Sequence, residues 1–562
     1  MQTHRLTGHN VIQLIYPLRH KQKKDKHKSI PQLLRELEWE EIQTSSGSNE
    51  QANEEQVHNH NINYLFPSTY YKEFGDHLKK WIPDKQFYSY FHPSVQWNIF
   101  HADSKKLRVF RTHTPTSQRF IGEFFGSDDD KTLPLISFEW IASEIYAFSD
   151  DCAFLVVRVC LLENVEVVKE SNGFQTKIHK QPVQPLSVWA KFVNRVRQNY
   201  SKYSSQPRLT ICSQNQTHTS DIFFKKMLEN IPLGEKICVS NLEASTIDGN
   251  KRIEEDSYRI EANAFTHAFV QTDLTEDLDT DELFQLLSID DDKYESGGTK
   301  QFRESFIQDR LYDRWTSVKT YYTAVDYGAV TISHKDQNSY TYSEMPEKKI
   351  GYPDLLYQHH CRQYLIFIIL QLYYREELQE IMGRYARIPN LDKSKNKEHA
   401  RAVLEAYYTL NQFFFFDRIT HEIQGLELWS FYQKVLKTKE LYQAVQQDMN
   451  ELNQRLIERV SEKQDKRLGM LTILAAITGM FGMNLFIEGF KFTQQDLETG
   501  VLNHVSTIFK NYVNFSDFKM LINGIVVFTI AFITIYILVV AARSVWTFLL
   551  YLFKKITKHI LS

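Results

Sequence analysis

Glycine and proline are scarce in this chain, 20 and 14 of 562 residues. Few turn and breaker residues over such a length tilt the expectation toward helix. Cysteine is sparse too. Cys152, Cys160, Cys212, Cys238 and Cys361 are scattered, odd in number and form no C-x-x-C pair, which argues for a reducing compartment and against a structural zinc site. Neither sign of charge dominates: 66 Lys+Arg face 69 Asp+Glu, so a free-standing basic nucleic-acid binder is disfavoured. Sustained apolar sequence is missing until roughly the last hundred residues. With a mean hydropathy of −0.41, that excludes a membrane protein built from many spans. The start, MQTHRLTGHN, has no apolar stretch behind a basic one, and no signal peptide is expected. There is no G-x-x-x-x-G-K-[ST] and no G-x-G-x-x-G, and no nucleophile motif stands out among the 20 histidines. The expectation is that the chain is not an enzyme.

What is present suffices for a core, since 42% of residues are hydrophobic and 24% charged, and the length suggests two to four domains. Residues 1–63 read as an extension with a short strand (Val11–Tyr16), a basic run from Arg19 to Lys28 and a polar low-complexity loop. The basic run reads first as a solvated tract, with phosphate or anionic lipid as the alternative. From 64 to 345, short β-branched runs recur at Leu107–Phe110, Phe154–Leu161, Leu209–Cys212, Ala268–Thr272 and Ala329–Ile332, with helical stretches between. That predicts a mixed α/β domain. Residues 346–425 read as helical. Tyr364–Tyr374 is too short to span a bilayer and reads as a core helix, as does the Phe413–Phe416 run. Residues 426–467 contain neither Gly nor Pro, and Val445, Met449, Leu452, Leu456 and Val460 form an apolar stripe, predicting one long stalk helix. His359-His360-Cys361 reads as local packing rather than a metal site.

Two uncharged stretches close the chain. Residues 468–487 (LGMLTILAAITGMFGMNLFI) and 521–542 are each long enough for a hydrocarbon core about 30 Å thick. They are expected to be transmembrane helices joined by a loop at 488–520 and followed by a basic tail at 543–562. Arg455, Arg459, Lys463, Lys466 and Arg467 precede the first, and Arg543, Lys554, Lys555 and Lys558 follow the second. The positive-inside rule then places both termini in the cytosol. The expected fold is α+β: a large cytosolic α/β domain, a stalk and two C-terminal spans. One hairpin of two helices cannot enclose an ion path, so several copies would each donate a helix. The first stretch contains no carboxylate, and a cation would have to pass hydrated, which suits Mg²⁺. Projecting back from Asn484 at helical spacing gives Met480, Ile477, Ile473 and Thr472 as candidate pore-lining residues.

At Gly482-Met483-Asn484 the arrangement resembles the CorA family of divalent-cation channels: an α/β domain, a long stalk, GMN closing the first of two C-terminal spans, and a basic tail. The resemblance covers roughly 395–562. It implies a homopentamer in the bilayer of a cell inner membrane, multi-pass, with Gly482, Met483 and Asn484 as a selectivity filter for hydrated Mg²⁺ and Gly482 turning the backbone. It also implies regulatory Mg²⁺ on acidic residues, for which Asp277, Asp279, Asp281 and Glu282, or Asp290, Asp291 and Asp292, are candidates. A plain solvated acidic face is the competing reading. The loop of about 33 residues departs from the short acidic loops usual in the family. The domain ahead of the stalk is large for a plain transporter, which resembles the CorA-like subset associated with type III CRISPR systems and a nucleotide second messenger. GMN leaves the metal open, and Zn²⁺ is the alternative cargo.

Overall fold

A computed structural model describes residues 4–20, 29–41, 90–100, 106–112, 118–124, 135–148, 152–170, 173–180, 183–197, 209–212, 219–222, 231–233, 237–239, 264–273, 277–289, 298–334, 339–341, 349–389, 391 and 393–486. The chain divides into two compact units, 1–459 and 460–562.

The first unit is organised by a mixed sheet. In chain order its strands are β1 (Leu6–His20), β2 (Glu40–Glu41), β3 (Arg108–Arg111), β4 (Gln118–Phe124), β5 (Ile136–Ala147) and β6 (Cys152–Leu161). A separate hairpin follows, β7 (Val165–Glu170) with β8 (Gly173–Ile178). The sheet continues with β9 (Leu209–Cys212), β10 (Thr219–Ile222), β11 (Ile237–Val239), β12 (Phe265–Thr272), β13 (Leu311–Tyr312), β14 (Tyr321–Val325) and β15 (Gly328–His334). The main order is β10-β9-β4-β5-β6-β1-β12-β15-β14-β13, with β3 on β5, β2 on β3 and β11 on the end of β1. Every pairing in it is antiparallel except β12 with β15.

Burial on both faces explains the strand sequences. Residues of β6 alternate between two cores: Phe154 and Val156 face one, Ala153, Leu155, Val157 and Val159 the other. A strand covered on both sides reads as a continuous apolar run, as CAFLVVRVCL does. One face is covered by α1 (Ile30–Glu36), α2 (Leu186–Arg197) and α3 (Thr280–Ser288). A further helix, α4 (Lys300–Arg310), packs with α3 through Phe284, Leu287, Ile307 and Val325. On the other face lie α5 (Tyr352–His359), a π-helical turn (His360–Tyr364), α6 (Leu365–Ala386), α7 (Ser394–Phe413), α8 (Ile423–Leu436) and the start of α9 (Thr438–Phe486).

Two expectations change here. The strand at Val11–Tyr16 does not belong to a separate extension ending at 63. It lies within β1, which sits between β6 and β12 at the centre of the sheet. The segment after 346 is helical as expected, with Leu365–Tyr374 buried throughout in the core it shares with β6 and β12. The single stalk expected over 426–467 is two helices. Lys437 takes a left-handed conformation, φ 53°, ψ 29°, and the next side chain, Thr438, is buried and donates to Gln371 on α6. A tertiary anchor therefore breaks a stretch without Gly or Pro.

Among the described residues no helix is long and apolar enough to cross a membrane. That corrects the expectation of two transmembrane helices and of multi-pass localisation in a cell inner membrane with both termini cytosolic. In α9 charge persists to Lys466 and Arg467. Its uncharged part, 468–486, is only the last part of a 49-residue helix that carries charge up to that point. The second stretch, 521–542, the loop 488–520 and the tail 543–562 lie outside the described residues.

Lys437 generates a test. A non-glycine residue held in the left-handed region costs on the order of 1 kcal/mol, and glycine is the preferred residue after a helix end. Lys437→Gly is expected to leave stability unchanged or raise it by up to about 1 kcal/mol, read as the midpoint of chemical denaturation. Lys437→Val should lower it.

Candidate functional site

Three polar residues stand side by side in adjacent strands on the face covered by α5–α8 and the start of α9. Gln13 on β1 is in register with Arg158 on β6 and with His267 on β12. All three are fully buried. A charge at the centre of a sheet is tolerated only with a partner, and Arg158 Nη2 donates to Glu144 Oε2 at 2.8 Å. Glu144, on β5, also accepts from Arg111 at 3.2 Å and from the Tyr146 hydroxyl at 3.1 Å. Burial pushes the Glu144 carboxyl up, but Arg158, Arg111 and the hydrogen bonds from Arg158 and Tyr146 outweigh it and hold the carboxyl below its ordinary value. Burial and Glu144 push the Tyr146 phenol up.

Beside this ion pair lies a stack of two histidines. The His360 ring, from the π-helical turn, lies on the His267 ring with centroids 3.7 Å apart and planes 16° apart. Nδ1 of His267 meets Gln13 Oε1 at 2.7 Å, and Nδ1 of His360 meets Thr331 Oγ1 on β15 at 3.1 Å. Phe269 closes the side of His360 at 5.5 Å. Burial, aided by the neighbouring ring and Arg158, pushes His267 well below the usual imidazole value. Burial lowers His360 to about 3. His359, one residue earlier, is lowered to about 4 by burial and Arg362. Sequence reasoning read His359-His360-Cys361 as packing. That holds for the pair's surroundings, but it gave no hint that His267, 93 residues earlier in the chain, would meet His360.

The acidic candidates do not converge. Asp279 is the N-cap of α3, accepting from Glu282 N at 2.7 Å, while Glu282 accepts from Asp279 N in return. This reciprocal cap explains the pattern D-T-D-E before an apolar run. Asp281 pairs with Arg303 at 2.9 Å, and Asp277 accepts from the Tyr321 hydroxyl at 3.5 Å. Each carboxylate has its own protein partner, and no group of three metal-ligating side chains is found among the described residues. Within one chain Asp277, Asp279 and Asp281 are thus not brought together around a common point. Asp290, Asp291 and Asp292 lie outside the described residues.

The candidate pore residues all fall on α9. Thr472 is exposed, and its hydroxyl donates to Leu468 O at 2.8 Å, as Thr478 does to Leu474 O at 2.7 Å. In both, a carbonyl of the preceding turn accepts the hydroxyl proton, which leaves the hydroxyl oxygens as acceptors. Ile473 is 63% exposed, with Leu468, Met470 and Leu471 at 61%, 59% and 63%. Ile473, Ile477, Met480 and Asn484 follow one another at spacings of four, three and four within one helix that runs to Phe486. Gly482, Met483 and Asn484 are thus in helix, and the turn expected at Gly482 is not formed.

No family model, no curated protein and no solved structure matches the chain.

The buried ion pair yields a prediction. Removing one member strands the other charge out of water, which costs about 3–5 kcal/mol. Glu144→Gln is expected to lower unfolding stability by that order. The double change Glu144→Gln with Arg158→Met should recover part of the loss, because it removes both charges. Urea melts of the three proteins check this.

Proposed function

We propose that the chain is a subunit of a CorA-like oligomer that passes divalent cations, with Mg²⁺ as cargo, through a path formed by the ends of α9 from several copies. One observation carries the reading. The uncharged end of α9 shows large apolar side chains in succession, Leu468, Met470, Leu471 and Ile473, each more than half exposed. A helix apolar on all sides is stable only when something covers it. Copies of the same segment are the simplest cover, and the face with Ile473, Ile477, Met480 and Asn484 in register is the one such a ring would turn inward. Apolar rings pass water-clad ions only when wetted, which makes them gates. Mg²⁺ fits a path without carboxylates because it keeps its water shell. The reading calls on α9 alone.

The test is cation flux into vesicles loaded with a Mg²⁺-sensitive or Zn²⁺-sensitive dye. Wild-type chain is expected to pass Mg²⁺, and Asn484→Ala to change the Mg²⁺ rate by about tenfold, the worth of one lost polar contact at 1.4 kcal/mol. Equal rates in the two proteins would remove the role given to Asn484. Zn²⁺ signal without Mg²⁺ signal would move the cargo to Zn²⁺.

A second reading adds an input. The first unit extends over 1–459, far more than α9 needs as a base, and supports a ligand-gated version opened by a nucleotide second messenger. In a screen of nucleotides at saturating concentration, at least one should then raise the melting temperature of the full chain by several degrees. No shift with any nucleotide would retire this reading.

A further inference from the structure

We propose that the stacked His267–His360 pair is an acid-sensitive clasp, holding the π-helical turn between α5 and α6 against the central sheet while both rings are neutral and releasing it when a proton arrives.

The geometry leaves no room for a charged ring. With Nδ1 of His267 donating to Gln13 Oε1, a second proton would sit on Nε2, which has no hydrogen-bond partner among the described residues. Nε2 of His360 is in the same position. An imidazolium in either place would be fully buried, would face a parallel ring 3.7 Å away, and would sit close enough to Arg158 to be repelled by it. Arg158 is the fixed cation of this region, and its carboxylate partner, Glu144, is already shared with Arg111 and Tyr146. The other ionisable groups around the pair are His359 and Cys361 on either side of His360, Tyr364 at the end of the turn, and Tyr357, whose ring packs on Phe269. None of them is an anion that could pair with the new charge.

The clasp is also well placed to act. π-helical turns interrupt the regular ladder and recur at functional positions. This one leads directly into α6, the helix buried along Leu365–Tyr374. Gln371 on α6 accepts the hydroxyl of Thr438, the first residue of α9. Release of the turn would loosen the helix that anchors the start of α9.

The sign follows from linkage. Both rings bind protons less readily in the closed form than when released, so the clasp is fully effective above the ordinary imidazole value near 6.5 and weakens as pH falls below it. Each ring contributes about tenfold over the whole interval from pH 7.5 to 5.5, because little of the released form is protonated at the upper end, so two give about 100-fold. His359 adds up to about another tenfold if the opening exposes it.

Amide hydrogen exchange of the full chain at pH 7.5 and 5.5, corrected for intrinsic rates, tests the clasp. In wild type, protection over 352–374 is expected to fall at least about 100-fold. In the double variant His267→Gln, His360→Phe the fall should be about tenfold or less, the remainder belonging to His359. An equal fall in both proteins, or no fall in wild type, would overturn the proposal. Should the double variant not fold at pH 7.5, selective ¹³C labelling of histidine in wild type decides. Resonances of both rings that stay neutral down to the pH where protection is lost support the clasp. Titration of either ring near 6.5 with protection intact overturns it.

Discussion

Arg158 sits fully buried in the middle of β6 and can be there only because Glu144 reaches it from β5. A cation in such a position forces order on its surroundings. The partner carboxylate must be held, which Arg111 and Tyr146 do, and water must be kept out, which needs a helix layer over that face. The layer comes from α5 through α8 and the first turns of α9. The opposite face carries no charge in this region and is closed by α1 and α2. At the polar row of Arg158, Gln13 and His267 the main core thus depends on geometry as well as on apolar area.

The helix layer passes this constraint along the chain. His360 meets His267 at the head of α6, and Gln371 meets Thr438 further down the same helix. Beyond Thr438, α9 changes character twice. Val445, Met449, Leu452 and Leu456 are buried against the first unit, whereas Val460, which continues the same stripe, is 45% exposed. Charged residues then surround the helix as far as Arg467, after which exposed apolar side chains take over. These exposed apolar side chains are the feature on which the proposed ring of identical segments rests.

Much of the sheet was legible in the residues. Every β-branched run named from the sequence lies in a strand, because a strand buried on both faces must be apolar at consecutive positions. Tyr364–Tyr374 is a buried helix for the same reason. Reading failed where a long-range contact decided. Residues Val11–Tyr16 look like part of a detached extension, since nothing local reveals that β6 and β12 will flank them. Lys437 is an ordinary helix former, and only the Thr438–Gln371 contact shows why the chain turns there. The acidic run at Asp277–Glu282 was open to two readings, a solvated face or a cation site, and its local role, with Asp279 and Glu282 capping α3 and Asp281 pairing with Arg303, came from the fold.

The sequence by itself determined the mixed α/β class, the interior strands, the buried α6 and the uncharged end of α9, since these follow from local patterning of apolar and charged residues. Tertiary structure alone decided the centre of the sheet, the break at Lys437 and the meeting of His267 with His360. These depend on pairings between residues tens to hundreds of positions apart, and no local pattern encodes which distant strand or helix will arrive. The physical reason is the same in each case: a buried polar group is defined by its partner, and the partner is chosen by the fold.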